Sequence, residues 1–182
     1  MIAIIDYGAG NIFSVKNALD YLGVENKLTA DKNEICAADE IILPGVGAFP
    51  WAMKMLRDSG LVDTIREEAR KKPFLGICLG MQLIFDKGYE FEETDGLRLI
   101  GGKVEKIDRK DMIIPHMGWN ELVINRDCPI LKGLPEHPYV YFVHSYAAVC
   151  DEANVSAYCD YGGKITSLVH DGAYVYGAQF HP

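Results

Sequence analysis

The stretch Pro73-Phe74-Leu75-Gly76-Ile77-Cys78-Leu79-Gly80-Met81-Gln82 decides how the rest of the chain is read. Residues 73–77 form a short apolar run bounded by Pro and Gly, the mark of a buried strand, and residues 79–87 are expected to continue as a helix. Between them, Gly76-Ile77-Cys78-Leu79-Gly80 has the spacing of a sharp strand-to-helix turn that presents a nucleophile. Such a turn crowds the backbone, so residues without Cβ are needed two before and two after the central one. It lifts the central side chain off the sheet edge and sets its sulfur at a helix N-terminus, where the dipole favours thiolate. It also aims the Leu79 N–H at a developing oxyanion. Cys78 is therefore the candidate nucleophile, against the bland reading of a core cysteine in a tight turn.

Upstream of this turn the chain alternates strand and helix. Residues 1–5 read as a buried strand, followed by a Gly8/Gly10 loop. A helix follows with Ile12, Val15, Leu19 and Leu22 on one face, ended by Gly23. Residues 24–29 and 41–43 are further strands, and helices are expected over 51–58 and 61–71. Downstream come short alternating segments at 103–107, 120–125, 139–143, 154–159, 164–170 and 173–180. Gly162-Gly163 and Asp171-Gly172 are hairpin signals between them. The expected fold is α/β: a central, mostly parallel sheet flanked by helices, with antiparallel strands in the C-terminal half attached to the same sheet. A chain of 182 residues fits one domain.

Composition narrows the function. Acidic residues number 26 against 18 basic, a net charge of −8, so nothing supplies the basic stripe of a nucleic-acid binder. The longest apolar runs are too short for a membrane helix, and the N-terminus reads as a strand rather than a signal peptide. The cysteines (Cys36, Cys78, Cys128, Cys150, Cys159) are odd in number with no CxxC spacing. Neither a disulfide framework nor a metal site is expected, and reduced thiols and a cytoplasmic setting are.

A thiol nucleophile needs a base. His181, in Gly177-Ala178-Gln179-Phe180-His181-Pro182, follows the last strand, and active groups gather at the carboxyl ends of parallel strands. His116 and His144 adjoin motif-like segments, His137 reads as a surface residue, and His170 precedes a hairpin turn. After the third strand, Pro44-Gly45-Val46-Gly47-Ala48-Phe49 is a loop whose glycines let backbone N–H groups approach a ligand. It could cradle phosphate or complete an oxyanion hole, and it lacks the Gly-Lys-Ser/Thr of a nucleotide loop. Gly45 and Gly47 would tolerate more than one backbone conformation, so the loop could switch. The run Arg66–Lys72 reads as a solvated helix face, and the Met117/Trp119 segment as a loop.

The Pro-Gly-Val-Gly loop, Gly-x-Cys-Leu-Gly-Met-Gln and the Gln-Phe-His-Pro strand end, in this order, resemble class I (triad) glutamine amidotransferases over nearly the whole chain. The opening Asp6-Tyr7-Gly8-Ala9-Gly10-Asn11, Pro115-His116-Met117-Gly118-Trp119-Asn120 and Tyr141-Phe142-Val143-His144-Ser145-Tyr146 narrow this further. They resemble the glutaminase subunits of imidazole glycerol phosphate synthases in histidine biosynthesis. The resemblance implies that Cys78 attacks the glutamine carboxamide through a thioester and that His181 relays the proton. It implies an oxyanion hole of backbone N–H from Leu79, Val46 and Gly47, and glutamine contacts from Gly45, Gln82, Ser145 and Tyr146. No cofactor and no metal are implied. Asn11, His116, Met117, Trp119 and Asn120 would face a (β/α)8 barrel cyclase subunit in a heterodimer. The family pattern continues His-Pro-Glu, that Glu orienting the histidine. The sequence stops at Pro182, so an amidotransferase domain lacking its tail and terminal helix is expected, with His181 less firmly held. On the residues alone three other readings stay open. They are a paralogous synthase that amidates a sugar, a non-catalytic docking module on the same fold, and a cysteine hydrolase or peptidase.

Overall fold

A computed structural model describes residues 1–181; Pro182, the end of the expected strand-end motif, lies outside the described residues. The N-terminal half runs β1 (Ile2–Ile5), α1 (Ile12–Tyr21), β2 (Asn26–Thr29), α2 (Lys32–Ala37), β3 (Glu40–Gly45), α3 (Phe49–Asp58), α4 (Val62–Glu68), β4 (Phe74–Cys78) and α5 (Leu79–Leu83). In the C-terminal half the described residues form strands joined by loops, with two single-turn helices. It comprises β5 (Lys87–Gly88), β6 (Thr94–Asp95), β7 (Gly102–Lys106), β8 (His116–Glu121), β9 (Val123–Ile124), β10 (Tyr139–His144), β11 (Tyr146–Cys150), β12 (Val155–Asp160), β13 (Lys164–His170) and β14 (Val175–Ala178).

The central sheet has the order β2-β1-β3-β4-β14-β13-β12-β9. Pairing is parallel from β2 through to β14 and antiparallel from β14 outward, which is the fold class the alternation implies. One face buries Phe49, Met53 and Leu56 of α3 and Ile65 of α4 against Leu43 and Phe74. The other face receives Val15 of α1 against Ile4, Ile42 and Ile77. Leu22, expected on that apolar stripe, is instead 69% exposed, because the helix ends at Tyr21 and Gly23 turns the chain with φ +69°.

The antiparallel half departs from the expectation of a single extended sheet. Strands β8 and β10 form a two-stranded sheet of their own, bridged to His181 through Tyr141, and β11-β7-β5-β6 form a separate sheet. The Met117/Trp119 segment, read as a loop, lies within strand β8. Helix α5 stops four residues short of the expected end. The carbonyls of Leu83, Ile84 and Phe85 accept instead from the 97–100 segment, which a local reading cannot foresee. The run Arg66–Lys72 is not simply a solvated face either. Glu68 is buried and paired with Lys71 and Lys72, and Lys72 Nζ reaches the carbonyls of Cys36 and Ala38 at 2.7 Å, capping α2.

Candidate active site

Strands β3, β4 and β14 are neighbours in register, with Gly45 opposite Cys78 and Ile77 opposite Ala178. Their carboxyl ends therefore deliver the 46–47 loop, Cys78 and His181 to one edge of the sheet. All of these line a single cleft of about 380 Å³, together with Leu79, Gln82, Ser145 and Tyr146. That volume is in the range of small-molecule sites. Gly45 sits just behind, in a narrow crevice that also holds Asn11 and His181.

The turn at Cys78 is built as its glycines require. Cys78 takes φ 56° and ψ −113°, a conformation that costs on the order of 1–3 kcal/mol for a residue with a Cβ. A Cβ on Gly80 would lie 1.9 Å from the Leu43 carbonyl oxygen, and one on Gly76 would lie 2.5 Å from that of Gly80. One on Gly45 would lie 2.6 Å from the Gly80 nitrogen. Gly45 is thus fixed by close packing, and the expected freedom of the loop narrows to Gly47, which has φ +95° and open space around it. Behind the loop, the buried Tyr7 hydroxyl donates to the Pro44 carbonyl at 3.0 Å.

The expected resting thiolate is corrected by the structure. Burial pushes the Cys78 thiol up to about 11, even though the Leu79 N–H donates to the sulfur and pulls the other way. Helix α5 has five residues, so its dipole is too small to offset the lost hydration. Burial also holds His181 below the ordinary imidazole value. Both shifts favour the uncharged forms, a thiol and an imidazole lining the same cleft. His181 is positioned by its backbone, whose N–H donates to the Tyr141 carbonyl at 3.0 Å. Gln179 Nε2 approaches the Cys78 sulfur at 3.8 Å, and Gln82 Nε2 donates to Gln179 Oε1 at 2.9 Å and to the Tyr146 carbonyl at 3.0 Å.

Three residues in or beside the cleft were not named as site residues from the sequence, although His144 was weighed there as a histidine beside a motif. Glu90, the sole carboxylate among the described residues of the cleft, lies in a stretch with no periodicity. It is brought in by accepting from the Phe49 N–H at 2.8 Å, the start of α3. His144 reaches the cleft through the turn between β10 and β11, and Gln179 acts through a side chain that its motif position did not single out. The five residues expected at a partner interface separate. On β8, Met117 and Trp119 are 59% and 68% exposed, while His116 is fully buried. His116 therefore cannot present its side chain to a partner, because strand alternation turns 116, 118 and 120 inward. Asn120 faces His116, and Asn11 is exposed and caps α1 by accepting from the Ser14 N–H at 3.4 Å.

The family described as glutamine amidotransferase class-I matches residues 3–182. The chain belongs to the class-I glutamine amidotransferases. Among its relatives within this family is "Imidazole glycerol phosphate synthase subunit HisH" of Bacillus cereus strain G9842. It is 50% identical over 183 residues, covering 100% of this chain and 87% of that protein. The protein of the same description from Listeria monocytogenes serotype 4a strain HCC23 is 48% identical, covering 100% and 88%. A solved glutamine amidotransferase superposes with a TM-score of 0.77 at 22% identity, covering 100% of this chain and 90% of that one. The structure of PurLQS from Thermotoga maritima gives 0.76 at 22%, covering 100% and 86%. At such identities these two structures speak to the fold alone.

Proposed function

We propose that this amidotransferase is the glutaminase subunit of an imidazole glycerol phosphate synthase, with residues 1–182 as one amidotransferase domain. It hydrolyses glutamine and passes ammonia to a (β/α)8 cyclase subunit in the cytoplasm. The observation that carries the reading is a cysteine held at positive φ on a strand-to-helix turn, in one cleft with a neutral histidine. Relatives at about half identity over the whole chain favour this synthase over a sugar-amidating one.

In the proposed reaction His181 takes the Cys78 proton as the sulfur attacks the glutamine carboxamide carbon, and the tetrahedral oxyanion forms against the backbone N–H groups of Leu79, Val46 and Gly47. His181 returns the proton to the leaving nitrogen, the C–N bond breaks, and ammonia departs from a thioester. Water then adds to the thioester, giving its proton to His181, and glutamate leaves as the thiol is restored. Gln82 and the backbone at Ser145 and Tyr146 hold the substrate. Gly45 supports the loop from behind rather than touching the substrate, and Glu90 is the natural counter-charge for the substrate's α-ammonium. Met117 and Trp119, with Asn11, provide the docking face.

The open space and positive φ at Gly47 offer a gate on the Val46 N–H, so the free subunit is expected to be slow. One oxyanion donor is worth roughly 10²–10³ in rate. Glutamate release is measured from glutamine with and without the liganded barrel subunit. The expected result is low basal release with stimulation mainly in kcat. Stimulation confined to KM would remove the gate, and no release under either condition would remove the glutaminase reading.

A further inference from the structure

One buried polar chain takes no part in the chemistry above. His116 lies between the rings of Phe142 and Tyr161, at centroid distances of 4.7 and 3.9 Å. Its Nδ1 is 2.9 Å from His144 Nε2 and its Nε2 is 2.8 Å from Asn120 Oδ1, while His144 Nδ1 is 2.8 Å from the Tyr146 carbonyl oxygen. That carbonyl is the one on which Gln82 also converges, and Gln82 leads on through Gln179 to the Cys78 sulfur. A continuous polar path thus joins the inner face of β8 to the nucleophile.

Counting protons fixes the polarity of this path. Its three contacts among Asn120, His116, His144 and Tyr146 need three protons, and two neutral imidazoles bring two. The Tyr146 carbonyl can only accept, so His144 carries its proton on Nδ1 and accepts at Nε2. His116 must then donate from Nδ1, which leaves its Nε2 bare and in need of a donor. A half-turn of the Asn120 carboxamide puts Nδ2 where Oδ1 stands and supplies that donor. The other source of a third proton is an imidazolium. Burial opposes it, pushing His144 down to about 4 and lowering His116. The titratable groups facing the pair are Tyr161, whose hydroxyl donates to the Ile113 carbonyl at 2.8 Å, and His181 beyond His144.

We propose that Asn120 and His116 are positioning residues of the glutaminase site: the Asn120 carboxamide supplies the third proton of this chain and so holds the Tyr146 carbonyl, and with it the cleft wall that grips glutamine. The proposal rests on the glutaminase reading. A carboxamide turned the other way reverses both tautomers and sets the His144 Nδ1 lone pair against the Tyr146 carbonyl.

Nitrogen-15 NMR of the imidazoles in the ligand-free protein tests the proton count without any assay. Protons on Nδ1 of both His116 and His144 at pH 7 are expected. A proton on His116 Nε2, alone or in an imidazolium, overturns the proposal. Kinetics with the liganded barrel subunit supply the second arm. Asn120→Asp can only accept, so the chain then needs an imidazolium to be complete. Its glutamine KM is expected to stay within about threefold of wild type at acid pH. It should rise about tenfold as that imidazolium titrates, a lost hydrogen bond, with kcat moving less than about threefold. A KM equal to wild type at every pH overturns the proposal. Wild type that releases no glutamate refutes the glutaminase reading, and the tautomers still judge the chain.

Discussion

The parallel and antiparallel halves build the same cleft by different means. Around Cys78 the geometry is set by backbone against backbone: Gly45, Gly76 and Gly80 let β3, β4 and α5 approach to distances at which any Cβ collides. Around His144 and Tyr146 it is set by side-chain hydrogen bonds from Gln82, His116 and Asn120 across β8, β10 and β11. Steric fit is all-or-none, whereas hydrogen-bonded walls shift between discrete arrangements at a cost of about 1 kcal/mol per bond. The proposed nucleophile is on the rigid side and the proposed substrate wall on the adjustable one.

The largest effects are expected where the rigid half carries the chemistry. Cys78→Ala should lower barrel-stimulated glutamate release by about 10⁴-fold or more, as loss of a nucleophile does, with melting within a few degrees of wild type. Gly80→Ala should act on the fold instead. Its Cβ would meet the Leu43 oxygen at 1.9 Å, and a loss above about 4 kcal/mol lowers Tm by about 10 °C or more. A Gly80→Ala protein that melts like wild type would break the claim that this half is held by backbone contact.

Next comes the reactivity of the thiol. With its pKa raised to about 11 by burial, Cys78 carries little thiolate at neutral pH, and that fraction grows about tenfold per pH unit up to 11. Iodoacetamide at pH 7 should therefore modify the exposed Cys36 before Cys78, and Cys78 labelling should climb until about pH 11. A glutamine-like electrophile should reverse the order, since the cleft binds it. Mass mapping that finds Cys78 alkylated first by iodoacetamide at pH 7 would show a resting thiolate.

A smaller change probes the adjustable half. Gln82→Leu leaves Gln179 Oε1 without its Gln82 donor and the Tyr146 carbonyl with His144 alone. The expected cost is about 1–3 kcal/mol, a Tm lower by about 3–9 °C, and a glutamine KM raised about tenfold. An unchanged KM would mean the wall does not depend on this amide.

The same division explains what could be read from the sequence. The elbow, the Pro-Gly-Val-Gly loop, the mostly parallel central sheet and the gathering of Cys78 and His181 at strand ends were legible because local glycine spacing and strand alternation encode them. Helix α2 was not, since it buries Ile35 alone and depends on Asp31 accepting from the Asn33 N–H. Nor was the inward turn of His116, or the role of Glu90. Both depend on which distant strand or helix end lies opposite, and no local pattern records that. The expected thiolate failed for a related reason: burial is a property of the whole fold, and it outweighs a one-turn helix.

The smallest effect on the isolated chain, and the one that best separates the two faces of β8, belongs to Trp119. Its ring meets Tyr141 edge-on at 5.7 Å, and Tyr141 is the residue whose carbonyl receives the His181 N–H. At 68% exposure the indole adds little to folding, so Trp119→Ala should change stability by no more than about 0.5 kcal/mol. If the outer face docks the barrel, the same change removes an aromatic anchor worth about 2 kcal/mol, and the Kd should rise roughly 30-fold. At saturating barrel subunit kcat should return to within about twofold of wild type, because the buried face with His116 and Asn120 is untouched. A titration calorimetry Kd equal to wild type would place docking elsewhere. A kcat that stays depressed at saturation would mean that the Trp119–Tyr141 contact itself orients His181, and that the two faces of the strand do not act separately.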